Sequence, residues 1–255
     1  MVGFSDSLVG YSIKNTKSNR MKIATVSFPI NIEYEIEGID RRAAWHELTR
    51  TYRDVDIWVG SGYSISRRKD LKKIRQQLAQ DQVMIVESQK SRRPLVCVGP
   101  DIVRELLKQR FATAAEATEK KITRFRKKFD RRKVCTCFGD IAYLNCGEIH
   151  ILEGRGNNVR PRWYIPIDYI RACKIIVNPT HTRMHNDGQL DAKRRKLSEG
   201  GRIYVSASNY LINGPRQNDP TAEYLHSVYV NGHRGTAEVS ENRNGVVVRI
   251  WNIPV

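Results

Sequence analysis

Residues 24–36 read Ala24-Thr25-Val26-Ser27-Phe28-Pro29-Ile30-Asn31-Ile32-Glu33-Tyr34-Glu35-Ile36. Every even position is apolar, and the odd positions are Thr, Ser, Pro, Asn and Glu. A period of two with one apolar face predicts a half-buried strand, bent or interrupted at Pro29. Gly38 ends it, and Asp40 is a good N-cap for a helix through Arg53 with Trp45, Leu48 and Tyr52 on one face, Val55 following. A short strand at 57–59 is then broken by Gly60-Ser61-Gly62.

Working outward, Leu71, Ile74 and Leu78 space a second amphipathic helix. Strands are expected at 83–86 and 95–98. Pro100-Asp101 opens a long helical pattern through Ile102, Leu106, Phe111, Ala114 and Ala115 into residues 120–133. The second half reads as strands at 138–144, 148–152, 163–165, 174–177, 203–207, 224–230, 236–239 and 246–251. Residues 178–201 are polar and read as an exposed loop. The expected fold class is α+β, an antiparallel sheet packed with amphipathic helices. It fills residues 21–255 after a polar lead-in at 1–20, as one domain or as two closely packed halves meeting near 133.

The 255 residues carry a net charge of +17 with 40% hydrophobic and 28% charged residues, which describes a folded, strongly basic chain. That balance disfavours an enzyme for small neutral substrates and favours nucleic acid or an anionic membrane surface. The charge is densest at 120–133, where nine of fourteen residues are Lys or Arg. Ile122, Phe125 and Phe129 form an apolar stripe there, expected to dock into the core. Around it, Lys120, Lys121, Arg124, Arg126, Lys127, Lys128, Arg131, Arg132 and Lys133 are expected to meet phosphate groups of lipid or ribonucleoprotein. Arg67, Arg68, Lys69, Lys72, Lys73 and Arg75 on the second helix share that task. Lys193, Arg194, Arg195 and Lys196 form a four-cation run of the kind nuclear import receptors read, in a chain basic enough to produce such runs by chance.

The five cysteines, an odd and unevenly spaced set, argue against a disulfide framework and for a reducing compartment. Cys135, Cys137, Cys146 and His150 are four candidate zinc ligands, set against the commoner outcome of free buried cysteines. Gly154-Arg155-Gly156 reads as a turn rather than a dinucleotide loop. No His-Glu-x-x-His or Gly-x-Ser-x-Gly motif is present, so the sequence predicts a protein that is not an enzyme and calls for no cofactor. Asp56 or Asp140 as metal ligands of a nuclease is the weakest alternative. No apolar run approaches the ~20 residues of a membrane span, and the N-terminus lacks a signal-peptide layout, so membrane contact is expected to be peripheral.

The strand at 28–36, the helix at 40–54 and the strand before Gly60 and Gly62 make a strand-helix-strand unit. Later come Glu153-Gly154-Arg155 and Ile165-Pro166-Ile167-Asp168-Tyr169-Ile170-Arg171. This order resembles the rhabdovirus matrix protein, of the plant-infecting, nucleus-assembling kind, over about half of the chain. The sequence departs from that family in its few N-terminal cations (Lys14, Lys17, Arg20) and in lacking Pro-Pro-x-Tyr or Pro-Thr-Ala-Pro budding motifs. The resemblance implies a non-enzymatic virion protein that self-associates into homo-oligomers, condenses viral nucleoprotein-RNA, and links it to a membrane carrying the glycoprotein tail during budding. Its partners would be a second copy, nucleoprotein-RNA, the glycoprotein tail, anionic lipid and an importin. Its places would be the virion beneath the envelope, the host nucleus and inner membranes. A viral movement or nucleocapsid protein that binds nucleic acid is the alternative.

Overall fold

The computed structural model describes residues 20–254 except 32, 34, 37, 183–186 and 214–218. The lead-in expected at 1–20 therefore lies outside the described residues but for Arg20, as do Ile32 and Tyr34 of the alternating stretch.

From Ala24 to Ile30 the alternating stretch is buried on both faces, and this sets the architecture. It forms a strand at Arg20–Ser27, and Pro29 opens a separate two-residue strand, Pro29–Ile30. Ala24, Val26 and Phe28 pack with Trp45 and Leu48 of the helix Arg41–Thr51 and with Leu71 and Ile74 of the helix Arg68–Ile74. Met21 and Ile23, on the other face, pack against Ile141, Val177, Val205 and Val228 of a second sheet. Thr25 and Ser27 share that second face and are fully buried. Both meet the imidazole of His226, Thr25 Oγ1 at 2.6 Å from Nδ1 and Ser27 Oγ at 3.0 Å from Nε2. Thr25 and Ser27 thus face another layer of protein, whereas Glu33 and Glu35 further along the stretch are exposed.

The first sheet runs in the order Val239–Arg243, Val246–Pro254, Arg20–Ser27, Ile57–Gly60, Val83–Ser88, Arg93–Val98, Ile102–Glu105. The second runs His233–Arg234, His226–Val230, Ile203–Ala207, Ile175–Val177, Gly139–Tyr143, Lys133–Thr136. Their centres are parallel: Arg20–Ser27 with Ile57–Gly60 with Val83–Ser88, and Gly139–Tyr143 with Ile175–Val177 with Ile203–Ala207. Parallel neighbours need crossovers, and the helices Arg41–Thr51, Arg68–Ile74 and Asp187–Ser198 supply them. The Asp40 carboxylate caps the first of these by accepting from the amides of Arg42 and Ala43 at 3.0 and 3.1 Å.

The expected antiparallel sheet with packed helices is therefore replaced by a four-layer αββα sandwich. Its three largest apolar clusters lie one between the sheets and one under each helical layer, with a small fourth at Tyr210, Leu225 and Val247. The chain passes to the second sheet at Lys133–Thr136, and the inter-sheet core takes side chains from before and after that point.

Four local expectations also change. The helix foreseen from 102 is the strand Ile102–Glu105, because Gly99 at φ +58° turns the chain back onto Arg93–Val98. The strand foreseen at 148–152 is mostly the 3-10 helix Cys146–Ile151, in which the Glu148 carboxylate reaches back to the Asn145 amide at 2.8 Å. The strand foreseen at 163–165 is the 3-10 turn Arg162–Tyr164, with Trp163 and Tyr164 both at positive φ. Residues 178–201 contain the helix Asp187–Ser198, which buries Leu190 and Leu197 and also Lys193 and Arg194. Buried cations at positions where a helix normally shows apolar residues hid its amphipathic face.

Candidate active site

In open parallel sheets, ligands bind beyond the carboxyl ends of the strands. Three chemistry-bearing side chains meet there, from three different strands.

Cys146 follows the strand Gly139–Tyr143. The parallel ladder continues one step past it, the Leu144 amide donating to Val177 O at 2.8 Å. Asn178, beyond the neighbouring strand, donates its side-chain amide to the carbonyls of Leu144 and Asn145 at 3.1 and 2.8 Å. Tyr204 Oη holds the Asn178 side-chain oxygen at 2.9 Å, which fixes the amide's orientation. The chain then turns into the 3-10 helix with the half-exposed Cys146 at its head.

Two residues on, Glu148 points inward and is fully buried. It accepts from Arg132 Nη1 at 2.7 Å and Nη2 at 2.9 Å, and from the Arg110 amide at 2.7 Å. Burial pushes the Glu148 carboxyl up, and the Arg132 charge opposes that shift. Arg132 Nη2 also donates to Lys108 O at 2.6 Å, and Asn145 Nδ2 to Leu107 O at 3.2 Å. Residues 107–112 are thereby pinned against the cysteine turn. Gly147 makes the approach feasible, since a Cβ there would lie 2.0 Å from Ala112 O.

His181 follows the strand Ile175–Val177. Thr180 anchors it, donating its amide to Ala207 O at 2.8 Å and accepting from the Gly62 amide at 3.0 Å. His181 Nε2 lies 2.8 Å from Oε2 of Glu87, a buried carboxylate near the carboxyl end of Val83–Ser88. Cys146 lines the same cavity as this imidazole and favours its charged form. Burial disfavours that charge, but the interactions with Cys146 and Glu87 prevail, and His181 is pushed up to about 11. Its ring stacks on Tyr63, centroids 4.2 Å apart at an interplanar angle of 31°. Cys146 and His181 open onto a cavity of about 510 Å³ that Tyr63, Gln89, Arg92, Gln109, Glu33 and Glu35 also line.

A thiol and an imidazole on one cavity, the imidazole held by a buried carboxylate, are groups that can serve as a nucleophile, a proton carrier and an orienting group. The sequence offered Cys146 only as a zinc ligand, and Glu87 and His181 not at all. The one signal available was position, each residue lying at or just past the carboxyl end of a strand. The zinc set is dispersed. Cys135 and Cys137 are exposed, and His150 Nδ1 lies 3.4 Å from Lys193 Nζ. Among the described residues, no three His, Cys, Asp or Glu side chains are grouped to hold a metal ion. Asp56 accepts from the Lys22 amide at 2.7 Å, and Asp140 pairs with Lys133 at 3.3 Å.

None of the basic residues singled out from the sequence lines this cavity. Ile122, Phe125 and Phe129 are buried in one cluster, as their spacing predicts. Lys120, Arg124, Arg126, Lys127, Lys128 and Arg131 are exposed, and Lys121 and Lys133 half-buried. Arg132 is internal, however, with its guanidinium 5.0 Å over the Phe125 ring. Arg67, Arg68, Lys69, Lys72 and Lys73 are exposed, and Arg75 donates to Asp101 O at 2.9 Å. In the four-cation run, Lys193 and Arg194 are buried, Arg194 donating to Ser227 Oγ at 3.0 Å. Arg195 is exposed, and Lys196 pairs with Glu199 at 2.9 Å. Only part of that run therefore faces outward.

The fold is that of the carbon–nitrogen hydrolases of the nitrilase superfamily. The CN-hydrolase superfamily protein XC1258 from Xanthomonas campestris, described with an arsenic adduct in its active site, matches with a TM-score of 0.57 at 11% identity, over 92% of this chain and 90% of that one. An amidase from Nesterenkonia sp. AN1, in complex with acrylamide, matches with a TM-score of 0.55 at 8% identity, over 94% and 93% of the two chains. A further structure of that amidase shows Michael addition of acrylamide at the active-site cysteine, with a TM-score of 0.52 at 11% identity over 92% and 93%. No protein-family model matches the sequence, and no curated protein matches it.

These findings correct the matrix-protein resemblance, which rested on the order of elements. The shared order was local, whereas the layering and strand directions belong to an αββα sandwich of enzymes. The expectation of a non-enzymatic virion protein falls with it. So do the partners drawn from it, namely self-assembling copies, nucleoprotein-RNA, a glycoprotein tail, anionic lipid and an importin, together with the nucleic-acid-binding alternative. No described helix is long and apolar enough to cross a membrane.

Proposed function

We propose that this protein is a cysteine-dependent hydrolase of amide-type carbon–nitrogen bonds. Cys146 is the nucleophile, His181 the proton carrier, and Glu87 the carboxylate that orients the imidazole and supports its charge. The observation that carries this reading is the His181 imidazole held at 2.8 Å by the buried Glu87 carboxylate and lining one cavity with the Cys146 thiol.

The chemistry follows from the order of the groups. His181, raised to about 11, already holds the proton as Cys146 Sγ adds to the substrate carbonyl carbon. The imidazolium gives its proton to the nitrogen as the carbon–nitrogen bond breaks, releasing an amine or ammonia and leaving a thioester on Cys146 and a neutral imidazole. Water attacks the thioester with His181 as base, and the acid departs as the thiol is restored. Glu87, buried beside the ring, lowers the cost of the intermediate cation. Support for a carbon–nitrogen bond as the target comes from the fold shared with an amidase that carries an active-site cysteine.

The test is ammonia release from a panel of aliphatic and aromatic carboxamides, with the protein mapped by mass spectrometry for an acyl adduct. Turnover that disappears in Cys146→Ala, with an adduct on the peptide containing Cys146, supports the reading. Turnover that survives Cys146→Ala, or no turnover and no adduct with any amide, counts against it.

A further inference from the structure

The imidazole of a histidine turns about a broad, roughly two-fold torsion, so one hydrogen bond to a carboxylate does not fix the plane of the ring. His181 has to keep one edge on Glu87 while another meets Cys146. Something besides the carboxylate must hold that plane.

We propose that Tyr63 is a positioning residue whose ring face holds the His181 imidazole in the one orientation that reaches Glu87 and Cys146 together. This rests on the cysteine-hydrolase reading above. The two rings are 4.2 Å apart between centroids and 31° from parallel, close enough to block rotation of the imidazole. The stack also favours a cationic ring over a neutral one.

The backbone is shaped to deliver that ring. Tyr63 adopts φ +59°, a conformation uncommon for a bulky side chain and retained where surrounding contacts impose it. Arg41 imposes it here, donating Nη1 to Tyr63 O at 2.8 Å and Nη2 to Gln89 Oε1 at 2.6 Å. The preceding residue leaves room for the imidazole, since a Cβ on Gly62 would lie 2.3 Å from His181 Cδ2. No hydrogen bond among the described residues involves the Tyr63 hydroxyl, so the ring itself is the working part. Besides His181 itself, the charged side chains lining the same cavity are Glu33, Glu35 and Arg92, and Glu87 lies behind the ring at 2.8 Å.

The test reads Cys146 directly and needs no substrate. Wild-type protein, Tyr63→Phe, Tyr63→Ala and Tyr63→Leu are treated with iodoacetamide from about pH 5 to about pH 9, spanning the imidazole and thiol ranges. Alkylation of Cys146 is followed by peptide mass spectrometry, which separates it from the exposed Cys135 and Cys137. Wild type and Tyr63→Phe are expected to react at similar rates that persist on the acid side. At about pH 6, Tyr63→Ala and Tyr63→Leu are expected to react about two- to tenfold more slowly, the scale of one lost ring contact, and to gain rate only toward the thiol range. Tyr63→Leu fills the space without a π face, so it remains readable if Tyr63→Ala melts early. Wild-type rates and pH profiles in Tyr63→Leu, or equal losses in Tyr63→Phe and Tyr63→Leu, would overturn the positioning role. If wild-type Cys146 reacts only as an ordinary thiol, near pH ~8.5, the hydrolase reading fails first and takes this role with it.

Discussion

Arg132 and Glu148 form a two-pronged ion pair, at 2.7 and 2.9 Å, with neither side chain reaching solvent. The carboxylate belongs to the turn that carries Cys146, and the guanidinium also holds the carbonyl of Lys108. One buried pair thus joins the turn of Cys146 to the segment that lines the cavity at Gln109 and Ala112.

Removing one member strands the other's charge in the interior. Arg132→Ala is expected to lose about 3–5 kcal/mol of stability in urea unfolding, the usual result of breaking a buried pair. The double variant Arg132→Met/Glu148→Leu should recover part of that loss. A single variant that unfolds at the wild-type urea concentration would show that the pair is dispensable.

The catalytic roles separate in the variants. Glu87→Gln retains a polar group beside His181 but removes the charge, so amide turnover should fall by about a hundredfold or more. Cys146→Ala should abolish turnover. Both should keep the wild-type circular dichroism spectrum, which is the check that the loss is chemical.

Gly62→Ala offers a steric test of the imidazole's place. The new methyl would sit 2.3 Å from His181 Cδ2, so the ring must move. Turnover should fall as far as in His181→Ala. Gly188→Ala, whose Cβ meets nothing within 4 Å, should leave it unchanged. Equal activity of the two alanine variants would remove the constraint.

Three histidines make opposite demands on pH. His226 is held well below its ordinary 6.5 by burial and by the charge of Arg249, and burial beside Lys193 and Arg162 takes His150 to about 4. Between pH 6.5 and about 4 the unfolded chain binds protons that these folded residues refuse, so stability falls as acid is added. His181, raised to about 11, contributes fully below 6.5 and loses its contribution as pH rises through about 11. Urea unfolding across pH should show both flanks. His226→Asn should flatten the acid flank and His181→Asn the alkaline one.

Much of the fold was legible at the level of elements. The cap at Asp40, the face of Trp45 and Leu48, and the strands at 57–59, 83–86 and 203–207 follow from local chemistry and stand in the structure. The layering was not legible, because Thr25 and Ser27 read as solvent-facing in any local rule. Their partner, His226, lies in the last third of the chain. The site was hidden for the same reason. Glu87, Cys146 and His181 occupy no motif, since tertiary pairing of strands, not spacing, brings them together. The charge misled as well, because Arg132, Lys193 and Arg194 use theirs inside the protein.

The Thr25–His226–Ser27 bridge has a consequence for catalysis. Glu87 belongs to the first sheet, whereas Cys146 and His181 stand on extensions of the second. The carboxylate therefore meets its imidazole only when the two layers are in register. A slide of one layer over the other would break the contacts of Thr25 and Ser27 with His226 as well as that of Glu87 with His181. The interlayer imidazole is thus an alignment pin for the contact between Glu87 and His181, and substitutions that loosen it should be felt there.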